Sequence, residues 1–576
     1  MTVDAANRPH SVSQGHDDEA AELVARARRV QPLWALLRVA DRARYMLAMA
    51  QAAIDDFDDL CEQIAAEQHR PRTEVATLEL LAAIDALKWI GRRGGAVLGD
   101  RRIGVHRSLL PGARARVTFE PYGVVGVIGA GSAPFAQPLG QIAGALLAGN
   151  GVVFKPAPRA RRAAELIAAI AARAGLPEGL VRILDGGAEA GLALAGAPID
   201  KLMFTGSPQT GREIAQACVA REVEVTVELG GKDAMIVLAD ADAGVERAAA
   251  AALWAGCAAA GQARGAVERV YVAPEAYARF LTALVARARA LRIGDPNLDP
   301  LAQMGPLSSS RRLEHVDELV REAVAGGATL HCGGPLATTK GGVGDARGGV
   351  GDLKRSVGNL KRNVGDPKGG VANEQGGVAD IDENGSDANT PPYTLLYAPA
   401  VLSGVTHEMR IMREQIGGPV LTVTAFDSVS QAIALANDSP FALGASVWSA
   451  DRYRAQRIAR LLDAGMVWIN DHLPAPLISR GPWGAAAGGG LGKTLGQAGL
   501  KACAQEKLIA REPAGVRGLW WSPHDELTAR AARAAAKLRS AREGDRTDAW
   551  RAGALSLGRL GARTLTRRRR PAGPNL

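Results

Sequence analysis

The sequence predicts an α/β protein built on parallel sheets with helices packed on both faces. Three observations predict it. Between Val117 and Ser207 short β-branched runs alternate with Ala-rich helical patterns, a βαβαβ order that calls for parallel strands bridged by helices. After Arg264 the same alternation starts again. The 576 residues, 47 % apolar and 22 % charged, suffice for two or three domains with large cores.

Residues from about Asp17 to Leu98 carry apolar positions at helical spacing, Leu23, Ala27, Val30 and Leu33 and then Leu47, Ala50, Ile54 and Leu60. Val117 to Val127 reads as strands broken by Pro121 and Gly123. A helix up to Leu147, a buried strand ending at Lys155-Pro156, a helix from Arg161 to Ala174, a strand from Val181 to Leu184 and the run Lys201 to Ser207 follow. The next stretch opens on Glu228-Leu229-Gly230-Gly231-Lys232, continues as a strand from Ala234 to Leu238 and a long Ala-rich helix, and closes on Gly261-Gln262-Ala263-Arg264. Beyond it come a strand over Arg269–Ala273 and helices from Ala276 to Leu291 and from Ser308 to Gly326. From Tyr393 the pattern resumes with a strand at Thr422–Phe426, helix Ser428 to Asn437, strand Gly444–Ser449, helix Asp451 to Ala464, strand Gly465–Asp471, and a short final helix and strand.

Two segments differ in character. Residues 337–390 hold a degenerate seven-residue repeat with one Val per unit and abundant Gly, which cannot build a buried face and is expected to be a disordered surface insertion. Past Glu512 a basic tail begins. Ser522-Pro523 reads as an N-cap with Pro at the first helical position, and Leu527, Ala531, Ala534 and Leu538 give one apolar stripe. The net charge of +9 lies largely in this tail, and Arg567 to Arg570 read as a solvated run, with nucleic-acid or anionic-surface contact the less favoured alternative. Five scattered cysteines (Cys61, Cys218, Cys257, Cys332, Cys503) without metal spacing argue for a reducing compartment and against a disulfide framework or a zinc site. Residues 1–20 show no apolar signal region, and the apolar run Ala248 to Ala260 is shorter than the roughly 20 residues of a membrane span. A cytoplasmic protein with no metal, no membrane partner and no nucleic-acid partner is expected.

Several motifs stand in order over 300 residues: Lys155-Pro156, Phe204-Thr205-Gly206-Ser207 with Gly211 after it, Glu228 to Lys232, Gly261-Gln262, and Ala436-Asn437. Together they resemble the aldehyde dehydrogenase superfamily, over roughly residues 17 to 512 apart from the repeat. The resemblance implies an aldehyde dehydrogenase-like fold: a Rossmann-type dinucleotide domain (17–102 and 122–232), an α/β catalytic domain (233–470) and a small oligomerisation element (103–121 and 471–512). Residues 1–16 are expected to be disordered and 513–576 to form the helical or disordered tail. It also implies NAD or NADP as cofactor, an aldehyde as substrate and a homo-oligomer. Lys155, Gly206, Ser207, Gly211, Leu229 and Gln415 are the residues it places at the dinucleotide, where glycines let the backbone approach phosphate and a helix start offers free N–H groups.

The catalytic positions depart from the family. Its general base is kept as Glu228, but Arg264 stands where the nucleophilic Cys belongs, and Ser132, in Ala130-Gly131-Ser132-Ala133-Pro134, stands where an Asn donates to the developing oxyanion. Gln415 replaces a Glu that grips the nicotinamide ribose, Gly417 a Phe, and Pro158 an acidic residue near the adenosine ribose. A guanidinium has no available lone pair and a pKa above about 12, so it cannot attack a carbonyl carbon. Cys257 is the only nearby thiol and reads as a core residue. The expectation is a family member impaired in aldehyde oxidation, in which Arg264 pairs with Glu228. The alternative is an active oxidoreductase with Glu228 as general base and an atypical nucleophile. Arg159, Arg161 and Arg162 could meet a 2′-phosphate, although an exposed basic helix is the simpler reading.

Overall fold

A computed structural model describes residues 10–105, 113–336, 338–339, 342–343, 390–473, 478–512 and 525–565. The chain divides into two units, one of residues 1–97 with 121–505 and one of residues 98–120 with 506–576.

The first unit holds two sheets. Six strands run in the order Gly490–Leu491, Glu224–Glu228, Lys201–Thr205, Val124–Ile128, Gly151–Lys155 and Val181–Ile183. All pair in parallel except Gly490–Leu491, which lies antiparallel against Glu224–Glu228. The central strands Val124–Ile128, Gly151–Lys155 and Lys201–Thr205 are buried along their whole length. That is why they read as continuous apolar runs rather than as alternation. Helices Ala136–Ala148, Arg161–Arg173, Ala188–Gly196 and Pro208–Val219 bridge them.

The chain leaves this sheet at Glu228 and enters the second at Asp233. Seven strands follow in the order Thr329–Pro335, Tyr397–Ser403, Val420–Ala425, Val267–Val272, Asp233–Val237, Gly444–Trp448 and Met466–Ile469. Only the edge strand Thr329–Pro335 is antiparallel to its neighbour. The predicted helix from Asp451 ends at Ala459, five residues early, and starts with the Asp451 carboxylate accepting from Tyr453 N and Arg454 N.

The N-terminal helices depart in detail from the predicted stripe. A helix already runs from His10, within the residues expected to be disordered. Its buried face is Ala20, Val24, Ala27, Gln31 and Trp34, while Leu33 is exposed. Trp34 Nε1 donates to Leu146 O at 2.8 Å, which fixes the face that turns inward. Helices Val39–Asp55 and Phe57–Gln68 follow. The next begins at Arg72, passes through a π-helical stretch, Val75–Leu81, and continues as Ala82–Val97.

The second unit has the three-stranded order Arg101–Ile103, Arg114–Pro121, Ala504–Arg511, with seven of the last strand's eight residues exposed. The predicted broken strand Val117–Val127 is thus two strands, Arg114–Pro121 and Val124–Ile128, in different sheets. The tail forms helices Glu526–Lys537 and Glu543–Leu565. The first is capped by Asp525, whose carboxylate accepts from Thr528 N, rather than by Ser522, and Ser522-Pro523 lie outside the described residues. Most of the 337–390 repeat also lies outside them, as does Arg567 to Arg570.

Candidate active site

Ligands of open parallel sheets bind beyond the carboxyl ends of the strands, and a cleft of about 280 Å³ lies there in the six-stranded sheet. It is lined by Lys155, Gly206, Ser207 and Gln415, four of the residues expected at a dinucleotide. Lys155 ends its strand and is 5 % exposed, and burial pushes its pKa down to about 8. Ser207 caps helix Pro208–Val219, its hydroxyl accepting from Thr210 N at 3.3 Å.

The other two expected cofactor residues do not line this cleft. A Cβ on Gly211 would lie 2.5 Å from Leu229 Cδ2 and 3.1 Å from Val227 Cγ1, so Gly211 lets its helix close onto the strand. Leu229 is buried behind the cleft and packs there. Of the three arginines after Lys155, only Arg159 lines the cleft. Arg161 is paired with Glu165 and with Asp185 at 2.7 Å, and Arg162 with Glu165 at 3.0 Å.

A second cavity, about 110 Å³, opens between helices Ala82–Val97 and Ala136–Ala148. Its wall is mainly apolar and small, with Ala82, Ala86, Trp89, Gly140 and Gly144 among its residues. Arg70, Ser132 and Arg264 line both cavities and mark their junction.

At that junction Arg264 Nη1 is ion-paired with Glu228 Oε2, the side chains being 9 % and 1 % exposed. Arg264 Nε and Nη2 also donate to Leu229 O, at 3.3 and 3.0 Å, and the guanidinium carbon sits 5.6 Å from the centre of the Trp483 ring. The second carboxylate oxygen of Glu228 accepts from Thr494 Oγ1 and, at 3.4 Å, from Gln141 Nε2. Both oxygens of the expected general base are therefore engaged.

The turn that carries Arg264 is left-handed at Ala259 (φ 50°), Ala260 (φ 55°), Gly261 (φ 76°) and Gly265 (φ 80°). Gly261 has no alternative, since a Cβ there would lie 2.1 Å from Gly418 C. Gln262 pins the turn by donating to Ala259 O at 2.9 Å and accepting from Ser308 N at 3.0 Å.

Sequence reasoning missed a buried network beside this turn. Arg70 Nε meets Glu74 at 2.6 Å, and its Nη1 meets Glu79 at 2.9 Å. Glu74 Oε1 also accepts from Ala259 N at 3.1 Å. Glu79 Oε2 accepts from Phe135 N at 3.2 Å and Ala136 N at 2.8 Å, at the start of helix Ala136–Ala148, where a carboxylate answers the free N–H groups. Arg70 Nη1 reaches Ser132 O at 3.5 Å, so the network touches the Ser132 segment through its backbone. The i, i+4 spacing of Arg70 and Glu74 was a visible signal; the place of Glu79 was not, because the π-helical stretch shifts the helical register. A second buried pair went unseen: Asp233 lies 3.9 Å from His472, whose Nε2 is 3.1 Å from Gly265 O.

Cys257 lies away from both cavities. It is 7 % exposed, and burial pushes its thiol well above the ordinary range. Cys503 does line the apolar cavity, but burial pushes its pKa up to about 11.

The residues at the cleft suit a dinucleotide. Lys155 is a buried ammonium at a strand end, suited to hydroxyl or phosphate oxygens, and a capped helix starts beside it. Gln415 offers an amide where the family places a carboxylate, and it sits so close to Gly230 that a Cβ there would be 2.0 Å from Gln415 Oε1.

Comparison with known proteins agrees with this architecture. The aldehyde dehydrogenase family model matches residues 6–345 and 372–509. A "4,4'-diapolycopene aldehyde oxidase" of Methylomonas sp is 33 % identical over 82 % of this chain and 78 % of its own. A betaine aldehyde dehydrogenase of Rhizobium leguminosarum is 31 % identical over 84 % of this chain and 88 % of its own. Among solved structures, a putative aldehyde dehydrogenase from Burkholderia cenocepacia superposes with a TM-score of 0.74 at 28 % identity, covering 88 % of this chain and 92 % of that one. An aldehyde dehydrogenase of Mycobacterium tuberculosis complexed with NAD+ gives 0.71 at 28 % identity, covering 85 % and 90 %. With the motifs in order, the two parallel sheets and a family match over most of its length, this chain belongs to the aldehyde dehydrogenase family.

Proposed function

We propose that this protein keeps the family's binding cavities, takes up NAD or NADP, and has lost thiol-dependent oxidation of aldehydes. The observation that carries the reading is the buried ion pair between Arg264 and Glu228. Oxidation by the family's route needs a sulfur that adds to the carbonyl carbon, and later a water whose proton is taken by the Glu. Arg264 offers neither lone pair nor space for a thiol. It also holds one oxygen of Glu228 while Thr494 holds the other, so taking a proton from water would require breaking the ion pair. Ser132 reaches less far than an Asn, and a missing oxyanion donor costs about 2.7–4 kcal/mol of barrier.

A bound dinucleotide would supply the hydride acceptor. Lys155, the backbone at Gly206 and Ser207, and the amide of Gln415 would hold it, and Arg159 is the one of the three arginines after Lys155 that lines the cleft, where it would favour a 2′-phosphate. The apolar cavity would take an aldehyde with an apolar substituent. Residues 122–232 would serve as the dinucleotide-binding part and 233–470 as the former catalytic part. The exposed strand Ala504–Arg511 supports pairing between copies in a homo-oligomer. A cytoplasmic setting is supported by the free cysteines.

The test is an assay of NADH or NADPH formation with a panel of aldehydes. The parent protein should produce none, and Arg264→Cys with Ser132→Asn should gain turnover. Substantial turnover by the parent would overturn the reading. Titration with each dinucleotide, followed by protein fluorescence, should show binding by the parent.

A further inference from the structure

The bonds that Arg264 makes do not exhaust it. A guanidinium carries five N–H groups in one plane. Nε and one N–H of Nη2 converge on Leu229 O, at 3.3 and 3.0 Å, and one N–H of Nη1 goes to Glu228. Two N–H groups, one on each terminal nitrogen, therefore meet no acceptor among the described residues. With the Nε side of the fork turned to Leu229, the second N–H of Nη2 lies on the far edge of the plane. Trp483, 5.6 Å from the guanidinium carbon, belongs to the wall of the apolar cavity, and Arg264 belongs to the walls of both cavities.

Arg70 and Ser132 stand at the same junction, but Glu74, Glu79 and Ser132 O already answer Arg70. The two clusters hold two guanidinium groups against three carboxylates. An acid entering there would add a fourth carboxylate, whereas an uncharged carbonyl needs only a donor. The apolar cavity, about 110 Å³, is of the order of the roughly 150 Å³ that takes benzene, so one small ring or a short chain suits it.

We infer that Arg264 anchors the carbonyl oxygen of a small, uncharged, apolar ligand, a ketone as well as an aldehyde, where the apolar cavity meets the cleft. The inference rests on the reading of that cavity as a ligand site. Arg264 accepts no bond from the carbonyl carbon, so a second carbon substituent on that carbon forfeits nothing. The acid of the same skeleton, ionised at neutral pH, is turned away.

The experiment compares cyclopentane, cyclopentanone, cyclopentanecarbaldehyde and cyclopentanecarboxylate on the full-length protein by saturation-transfer NMR. The aldehyde should bind at least about tenfold more tightly than the carboxylate. Arg264→Met with Glu228→Leu removes the anchor together with its partner charge, which keeps the site free of an unpaired ion. In that variant the affinity of cyclopentanone relative to cyclopentane should fall at least about tenfold, the worth of one hydrogen bond to a charged group. The hydrocarbon corrects for any change of cavity shape. In the parent protein the carbonyl 13C resonance of bound cyclopentanone should stay at or downfield of its position in water. This readout needs no variant to fold. A bound resonance moved upfield to its position in a hydrocarbon solvent overturns the inference. So does an unchanged ketone-to-hydrocarbon ratio in the double variant, or a carboxylate that binds more tightly than the aldehyde. A Ser132→Ala variant that loses more of the ratio than the double variant would give the anchor to Ser132 and overturn it too. If cyclopentane binds and only the ratio fails, the cavity reading stands; if none of the four binds, both fall.

Discussion

Arg264 makes three polar contacts, and each restrains Glu228 or Leu229, the residue that follows it. The pair is almost fully buried, so its members are not equivalent to surface ions. Removing one partner leaves an uncompensated charge in a low-dielectric site, which costs about 3–5 kcal/mol, whereas replacing both with apolar or neutral groups is about neutral or better. Glu228→Gln should therefore lower stability to urea by that amount, and Glu228→Gln with Arg264→Met should restore it. A single Glu228→Gln variant as stable as the parent would mean that the pair is dispensable. The same geometry works against Glu228 as a base in the proposed reading: Arg264 and Thr494 each occupy an acceptor position on the carboxylate, and protonating it would break the ion pair.

Two elements decide whether the cavities keep their shape. In the π-helical stretch Val75–Leu81, Glu79 joins Arg70 to the start of helix Ala136–Ala148. Glu79→Gln removes a charged partner from both, and about 3 kcal/mol of destabilisation is expected, read by urea denaturation. Helix Pro208–Val219 is held against strand Glu224–Glu228 by the lack of a side chain at Gly211. Gly211→Ala should cost about 1–3 kcal/mol by overpacking, and Leu229→Ala in the same chain should recover part of it. Additive losses in that double variant would show that the two residues do not touch.

Across the whole molecule, stability against pH carries two opposed contributions. Burial raises Asp233 to about 7 and lowers His472 to about 3. A carboxylate whose folded pKa is raised contributes stability that is fully present below about pH 4 and is lost as pH rises through about 7. A histidine whose folded pKa is lowered contributes stability that is present above about pH 6.5 and is lost as pH falls towards about 3. Between about pH 4 and 6.5 the two slopes cancel in the parent. Asp233→Asn should remove one of them, so that the variant gains stability steadily from about pH 4 to 6.5 and exceeds the parent above about pH 7. Denaturation midpoints at three pH values would check it, and a flat profile in the variant would contradict the assignment.

The sequence by itself determined the parallel-sheet architecture and the order of the motifs, and it showed which residues, Ser132, Gln415 and Arg264, stand at the positions the resemblance marks. Those rest on local patterning and on residue chemistry, which a chain carries wherever it folds. The expected pair of Arg264 with Glu228 is present, but only the tertiary structure decided that Gly211 and Leu229 pack together behind the cleft and that Arg70, Glu74 and Glu79 converge on the turn at Ala259. These pairings join residues far apart along the chain or shifted by a π-helical turn, and neither periodicity nor spacing encodes which buried charges will meet once the sheets close.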